Sequence, residues 1–170
     1  MIESNRLLFR PYTLDDLDFY ASLWGNPEVV RYIGKGKTKT IEESRRSMEN
    51  RLLPGYRDGL GLFAMVLKAN NQLIGHAGLI EQKVDGQQEI EIGYWLLPDY
   101  WGKGLAKEAA ITFKDYGLFE LKYHKLISLI NPNHPASIFV AKKAGLAYEK
   151  TVSLPEGDTL VYSISRNLRE

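Results

Sequence analysis

Leu17, Tyr20, Ala21 and Trp24 follow one another at i, i+3, i+4 and i+7, a spacing that predicts a helix with one apolar face. Thr13 with Asp16 three residues on resembles a capping pair at its start, and Arg6 to Pro11 ahead of it reads as a short first strand. Asn26-Pro27 opens a short turn or helix, and Gly34-Lys35-Gly36-Lys37 is a basic loop. Thr40 with Glu43 predicts a capped helix running to about Leu53, closed by Pro54-Gly55. From Leu60 the period changes. Leu62 to Leu67 is a buried-strand run, Asn70-Asn71 a turn, Leu73 to Ile80 a second strand, and Asp85-Gly86 a hairpin signal before a third strand from Gln88 to Leu96. A helix with the apolar face Ala106, Ala109, Ala110, Phe113 and Gly117 follows, then a strand from Leu126 to Ile130 and a helix from about Ala136 to Ala144 stopped by Gly145. Tyr148 to Val152 and Leu160 to Ile164 read as two last strands joined by a loop from Leu154 to Asp158.

This order predicts an α/β (α+β) layered fold with a mostly antiparallel sheet. No repeat or linker divides the chain, and its 170 residues are expected to form a single domain, 1–170. A net charge of +1, from 22 basic and 21 acidic residues, argues against a surface that tracks nucleic-acid phosphates. Any anion site is therefore local. The absence of cysteine excludes disulfides and thiolate catalysis. No apolar run is long enough to span a bilayer, and the amino terminus lacks the pattern of an export signal, so a cytoplasmic protein is expected.

The most informative chemistry lies in Tyr94 to Ala106, where a strand passes through a glycine-containing loop into an alanine-rich helix. Gly102 and Gly104 remove side chains from the turn, so backbone N–H groups at the helix start can approach an anion that the helix dipole also favours. The same glycines also suit a tight strand-to-helix connection. No G-x-x-x-x-G-K-[ST], G-x-G-x-x-G, H-E-x-x-H or G-x-S-x-G pattern is present, which argues against nucleotide-binding kinases and dehydrogenases, zinc hydrolases and serine hydrolases. Three scattered histidines suggest no metal site.

Trp101-Gly102-Lys103-Gly104-Leu105-Ala106 resembles the Q/R-x-x-G-x-G/A signature of the Gcn5-related N-acetyltransferase (GNAT) superfamily, with Trp101 in place of Gln or Arg. The Trp-Gly form is similar to the branch of ribosomal-protein N-terminal acetyltransferases of RimJ/RimL type. Asn5 to Pro11, Asn26 to Tyr32, Ile74 to Gly78, Ile90 to Trp95, and Ala136-Ser137 with Lys143 to Leu146 extend the likeness over almost the whole chain. The resemblance implies a GNAT fold of about seven strands and about four helices, in which two neighbouring strands splay apart at the acetyl-CoA site. Here those strands would be Glu89 to Leu96 and Leu126 to Ile130. It implies that Leu96 and the loop Trp101, Gly102, Lys103, Gly104, Leu105 and Ala106 bind acetyl-CoA, with the pyrophosphate on the loop.

The resemblance also implies direct transfer of the acetyl group to a primary amine. A base is then expected, because an α-amine titrates near ~8 and a lysine near ~10.4. Glu91 is the expected base; Glu89 shares its strand face by alternation and is a rival, and His134 is another. Ser137 is the expected proton donor to the departing thiolate, although a serine there would also serve as a helix cap, and Tyr94, Tyr100 and Tyr148 are alternatives. The family's pantetheine-contacting Asn falls on His134 here, with Asn133 one step earlier, so either residue could take that contact. His76 and His124 read as structural. The expected partners are acetyl-CoA and an amine, with a protein N-terminus first and a polyamine, amino acid or aminoglycoside also open; no nucleic acid, membrane or metal is expected. A monomer or homodimer fits equally. A coenzyme A sensor without turnover is the alternative function.

Overall fold

The alternation between Leu60 and Leu96 produces a meander. In the computed structural model, which describes residues 1–166, β-strands Gly61–Leu67, Gln72–Val84 and Gln87–Leu96 pair antiparallel in succession. Asn71, Asp85 and Gly86 turn the chain with positive φ, the left-handed angles that short hairpins require. In chain order the strands are β1 (Ile2–Glu3), β2 (Leu7–Arg10), β3, β4 and β5 of the meander, β6 (Lys125–Ile130), β7 (Ala147–Leu154) and β8 (Gly157–Ser165). They form one sheet in the order β1-β2-β3-β4-β5-β6-β8-β7. Among the described residues β5 and β6 are the one parallel pair.

The helices are α1 (Leu17–Trp24), α2 (Pro27–Val30), α3 (Ile41–Ser47), α4 (Leu105–Asp115) and α5 (Pro135–Lys143). α3 runs on into a π-helical turn at Met48–Leu52 and α4 into another at Tyr116–Glu120. Thr40 and Glu43 close their capping box at 3.1 Å in both directions. The eighth strand and fifth helix exceed the expected numbers for local reasons. Ile2 and Glu3 pair with Phe9 and Leu8, and Pro27–Val30 closes a single turn capped by Asn26 Oδ1, which accepts the Glu28 N–H at 2.9 Å. The expected loop from Leu154 to Asp158 shrinks to a two-residue turn, because β7–β8 pairing carries through to Leu154 and Gly157. Polar Ser153, Asp158 and Thr159 hide that extension from a hydrophobic pattern.

Both faces of the sheet are covered. On one, α4 and α5 pack over Phe9, Met65, Leu79, Ile90, Ile92 and Leu126. The anticipated α4 face holds for Ala109, Ala110 and Phe113, with Leu105 added and Ala106 only partly buried. On the other face Tyr12, Leu17, Tyr20, Met48 and Leu52 enclose Ala64. Along β5, buried Ile90 and Ile92 point to α4, which leaves Glu91 on the side of α1 and α3. Phe113, 0% exposed, meets Phe9 edge-on at 4.9 Å and Phe63 at 6.0 Å. Phe113→Ala should cost about 3–5 kcal/mol of unfolding free energy, checked by chemical denaturation.

Candidate active site

β5 and β6 share one register pair, Glu91 with Ile127, although β5 continues to Leu96 and β6 to Ile130. Beyond that pair the strands splay, as the resemblance implies. A cleft of about 850 Å³ opens there, between α1 and the end of α3 on one side and β4, β5, β6 and the start of α5 on the other.

Glu91 stands where the ladder ends. Its Oε2 accepts the Leu129 N–H at 3.1 Å, so the side chain takes a β6 donor from the point where the strands part. Its Oε1 accepts from Gln82 Nε2 at 3.0 Å. Burial pushes the Glu91 carboxyl up to about 7, against the pull of those two hydrogen bonds toward the ionised form. Glu89 lies on the same strand face but is bound in an ion pair with Lys125 at 3.3 Å, away from the residues that line the cleft. Geometry therefore separates two carboxylates that alternation could not.

Three residues on along β5, Tyr94 shares a hydrogen bond of 3.1 Å with Ser137 of α5, hydroxyl to hydroxyl, and both line the cleft. Ser137 is the third residue of α5, and the cap position falls to His134, so the serine does not cap the helix. Burial pushes the Tyr94 phenol up to about 12, aided by the nearby Glu91 charge and opposed by the Ser137 hydrogen bond. Tyr94 is thus protonated at neutral pH. The other tyrosine alternatives lie elsewhere: Tyr100 bonds Gln72 at 3.1 Å, and Tyr148 is exposed and bonds Thr151. His134 lines the cleft, its ring stacked on Tyr32 at 4.4 Å, and burial keeps its imidazole below its ordinary value. Asn133 is exposed outside the cleft lining, its N–H donating to Asn131 Oδ1 at 2.9 Å. Asn131 lines the cleft, and sequence reasoning passed over it.

The glycine loop closes the end of β5. Gly102 and Gly104 have φ of 74° and 76°, the left-handed region that disfavours side chains, and Gly104 caps α4. The N–H groups from Gly102 to Lys107 make no hydrogen bond among the described residues, which leaves a row of donors at the positive end of an 11-residue helix. That row fits a pyrophosphate. Arg6 ties the loop to the body of the protein: Nη1 donates to the Lys103 carbonyl at 3.0 Å and Nε pairs with Glu108 at 2.8 Å. Trp101 is 50% exposed, and its indole N–H donates to the Leu96 carbonyl at 2.9 Å, while the Leu96 side chain is in the core. The tryptophan thereby joins the strand end to the loop where the signature has Gln or Arg.

His76 is buried, 1% exposed, bonded through Nδ1 to the Tyr12 hydroxyl at 2.9 Å, and burial drives its imidazole down to about 3. His124 is exposed, away from the cleft. Gln82, Tyr32, Asn131 and the Leu129 N–H carry no sequence signal for the site, because strand register and the turn before α5 deliver them. Among the described residues no group of three or more His, Asp or Glu is placed to hold a metal ion, and no helix is long and apolar enough to cross a membrane.

The chain matches the family model of the acetyltransferase (GNAT) domain over residues 6–147. It is 33% identical to YkkB of Bacillus subtilis (strain 168) across 81% of this chain and 79% of that one. It is 30% identical to YnaD of the same organism, described as an uncharacterized N-acetyltransferase, across 87% and 83%. The crystal structure of a GNAT-family acetyltransferase from Bacillus anthracis superposes with a TM-score of 0.82 at 28% identity, covering 96% of this chain and 97% of that one.

The raised carboxyl of Glu91 has a thermodynamic signature. Between its ordinary value of 4.5 and about 7 the native protein keeps a proton that the unfolded chain has released, so this group's contribution to stability falls as pH rises through that window. Denaturation midpoints measured from pH 4.5 to pH 8 should show the decline, and Glu91→Gln should flatten it.

Proposed function

We propose, since the chain belongs to the GNAT acetyltransferase family and is an acetyl-CoA-dependent N-acetyltransferase, that Glu91 and the Tyr94–Ser137 pair are the groups that move protons during transfer to a primary amine. The observation that carries this reading is that a carboxyl titrating at about 7 on β5 and the hydrogen-bonded hydroxyls of Tyr94 on β5 and Ser137 on α5 line one cleft at the strand splay.

Acetyl-CoA supplies an acyl group already activated as a thioester, so the protein has only to hold it, orient the amine and move protons. The free N–H groups from Gly102 to Lys107, with Leu96, Trp101 and the Lys103–Ala106 backbone around them, hold the pyrophosphate. His134 and Asn131 face the pantetheine arm from the turn before α5, while Asn133 acts through the turn itself. Glu91 accepts the proton of the acceptor's ammonium nitrogen and releases a neutral amine to form the new C–N bond. Ser137, backed by the Tyr94 hydroxyl, delivers a proton to the sulfur as its bond to the acyl carbon breaks, and the second proton lost from the nitrogen as the amide forms passes through water to restore the serine hydroxyl, while Glu91 returns its own proton to solvent.

A protein N-terminal α-amine is the acceptor this site suits best. A base titrating at about 7 lies close to an α-amine at ~8, whereas a lysine or polyamine amine at ~10.4 holds its proton more than three units more tightly. The likeness to the RimJ/RimL branch points the same way.

Three measurements test the assignment. Calorimetric titration with acetyl-CoA followed by thiol release with N-terminal peptides should show binding and turnover; binding without release from any amine would remove the transfer mechanism. The rate with an α-amine peptide should rise with pH through about 7, and Glu91→Gln should abolish that rise, lowering kcat/KM about 10²-fold or more while acetyl-CoA still binds. Trp101→Phe, which deletes the N–H bonded to Leu96, should raise the KM for acetyl-CoA about three- to tenfold with little change in kcat.

A further inference from the structure

The helical wall of the cleft is charged in a way that the reaction itself does not use. Between Arg31 and Arg57 stand eight basic side chains against three acidic ones, in a chain whose net charge is +1. Lys39 and Arg51 from this segment line the cleft. The ion pairs of the described residues involve neither of them. Arg57, also at the cleft, pairs with Glu81 at 3.7 Å, and the nearby Glu43 is occupied by its capping box with Thr40. Lys39 is half-buried, and its Nζ lies 4.1 Å above the Trp24 ring, an aromatic face in place of a counterion. Burial first, and then the Arg51 charge, hold its ammonium below its ordinary value, with the Glu43 charge acting the other way. Glu156 and Asp158, at the β7–β8 turn, are exposed cleft residues and give the site an acidic rim on another side.

We propose that Lys39 and Arg51 form a carboxylate subsite for the acceptor, so that this enzyme selects α-amine peptides with an acidic side chain close to their amino terminus. This rests on the transferase reading above and names the acceptor within it. A carboxylate placed between the two cations relieves their repulsion, gains a planar donor fork from Arg51, and does so beside Trp24, where water is partly excluded. The same two charges oppose a polyamine or an aminoglycoside, whose further ammonium groups would approach Lys39 and Arg51 with like sign. The surplus of positive charge from Arg31 to Arg57 also draws acidic peptides toward the mouth of the cleft.

The test compares the amides of alanyl-glutamate and alanyl-glutamine, which share the same α-amine and differ in one charge. Wild-type kcat/KM should favour the glutamate peptide about tenfold, with the preference shrinking as salt rises. The ratio should fall toward one in Arg51→Gln and drop in Lys39→Met, while calorimetric acetyl-CoA binding to each variant verifies an intact fold. A ratio of one or below in the wild type, or a preference unchanged in both variants, would overturn the subsite. If neither peptide is acetylated, the transferase reading of the acceptor fails, and calorimetry of the two peptides on coenzyme A-loaded protein decides the subsite on its own. Tighter binding of the glutamate peptide that disappears in Arg51→Gln supports it; equal binding of the two peptides rejects it.

Discussion

The site depends on a stretch of strand pairing that is not made. β5 and β6 are neighbours in the sheet but share one register pair, Glu91 with Ile127, before they part. A sheet interior ordinarily satisfies every backbone N–H and C=O through its ladder, and leaving a stretch open is costly unless other partners appear. Here the Glu91 carboxylate takes the Leu129 N–H, and the remaining edge faces a cleft. The open ladder therefore creates the cavity, gives it two backbone edges that an extended arm can pair with, and stations the Glu91 carboxylate, bonded from β5 to β6, at its throat.

The divergence is held by elements at a distance from it. α4 and α5 pack on one face of the sheet through Ala109, Ala110, Phe113 and Ala141, and they carry the glycine loop and the His134–Ser137 turn to the two sides of the gap. Arg6, just before β2, reaches Glu108 and the Lys103 carbonyl, so the first strands of the chain brace a loop about a hundred positions later. On the opposite face α1 and α3 form the wall that carries Trp24, Lys39 and Arg51. Burial of Glu91 then follows from the same packing. Its carboxyl is most stable neutral, and a group held in that state costs stability whenever it must ionise, a pattern of perturbed titration that accompanies working sites.

Much of this was legible in the residues. Period-2 runs and Asn-Asn and Asp-Gly turns predict the meander, capping pairs predict α1 and α3, and Gly102 and Gly104 mark the strand-to-helix loop, because each rests on interactions between residues near in sequence. The edge strand at Ile2–Glu3 and the full length of β7 and β8 were not legible, since pairing with a partner strand formed them and not their own composition. In the site, Ser137 suits a helix cap equally well by sequence, but α5 begins at Pro135 and leaves the cap to His134; Trp101 departs from the signature, and only the fold puts its indole N–H on the Leu96 carbonyl.

The sequence by itself determined the order of elements, the loop able to receive an anion, the absence of a protein thiol, and the likeness to one acetyltransferase superfamily. Only the tertiary structure gave Glu91 and Glu89 different surroundings. The two carboxylates stand two residues apart on one strand face and share every local property, yet β6 ends its pairing at one and sends Lys125 to the other. It likewise joined Tyr94 to Ser137 and set Lys39 and Arg51, outside the ion pairs of the described residues, in a shared cleft. The physical reason is common to all three: proton affinity and ion pairing depend on dielectric surroundings and distances of a few ångströms, and those are fixed by how remote strands and helices pack.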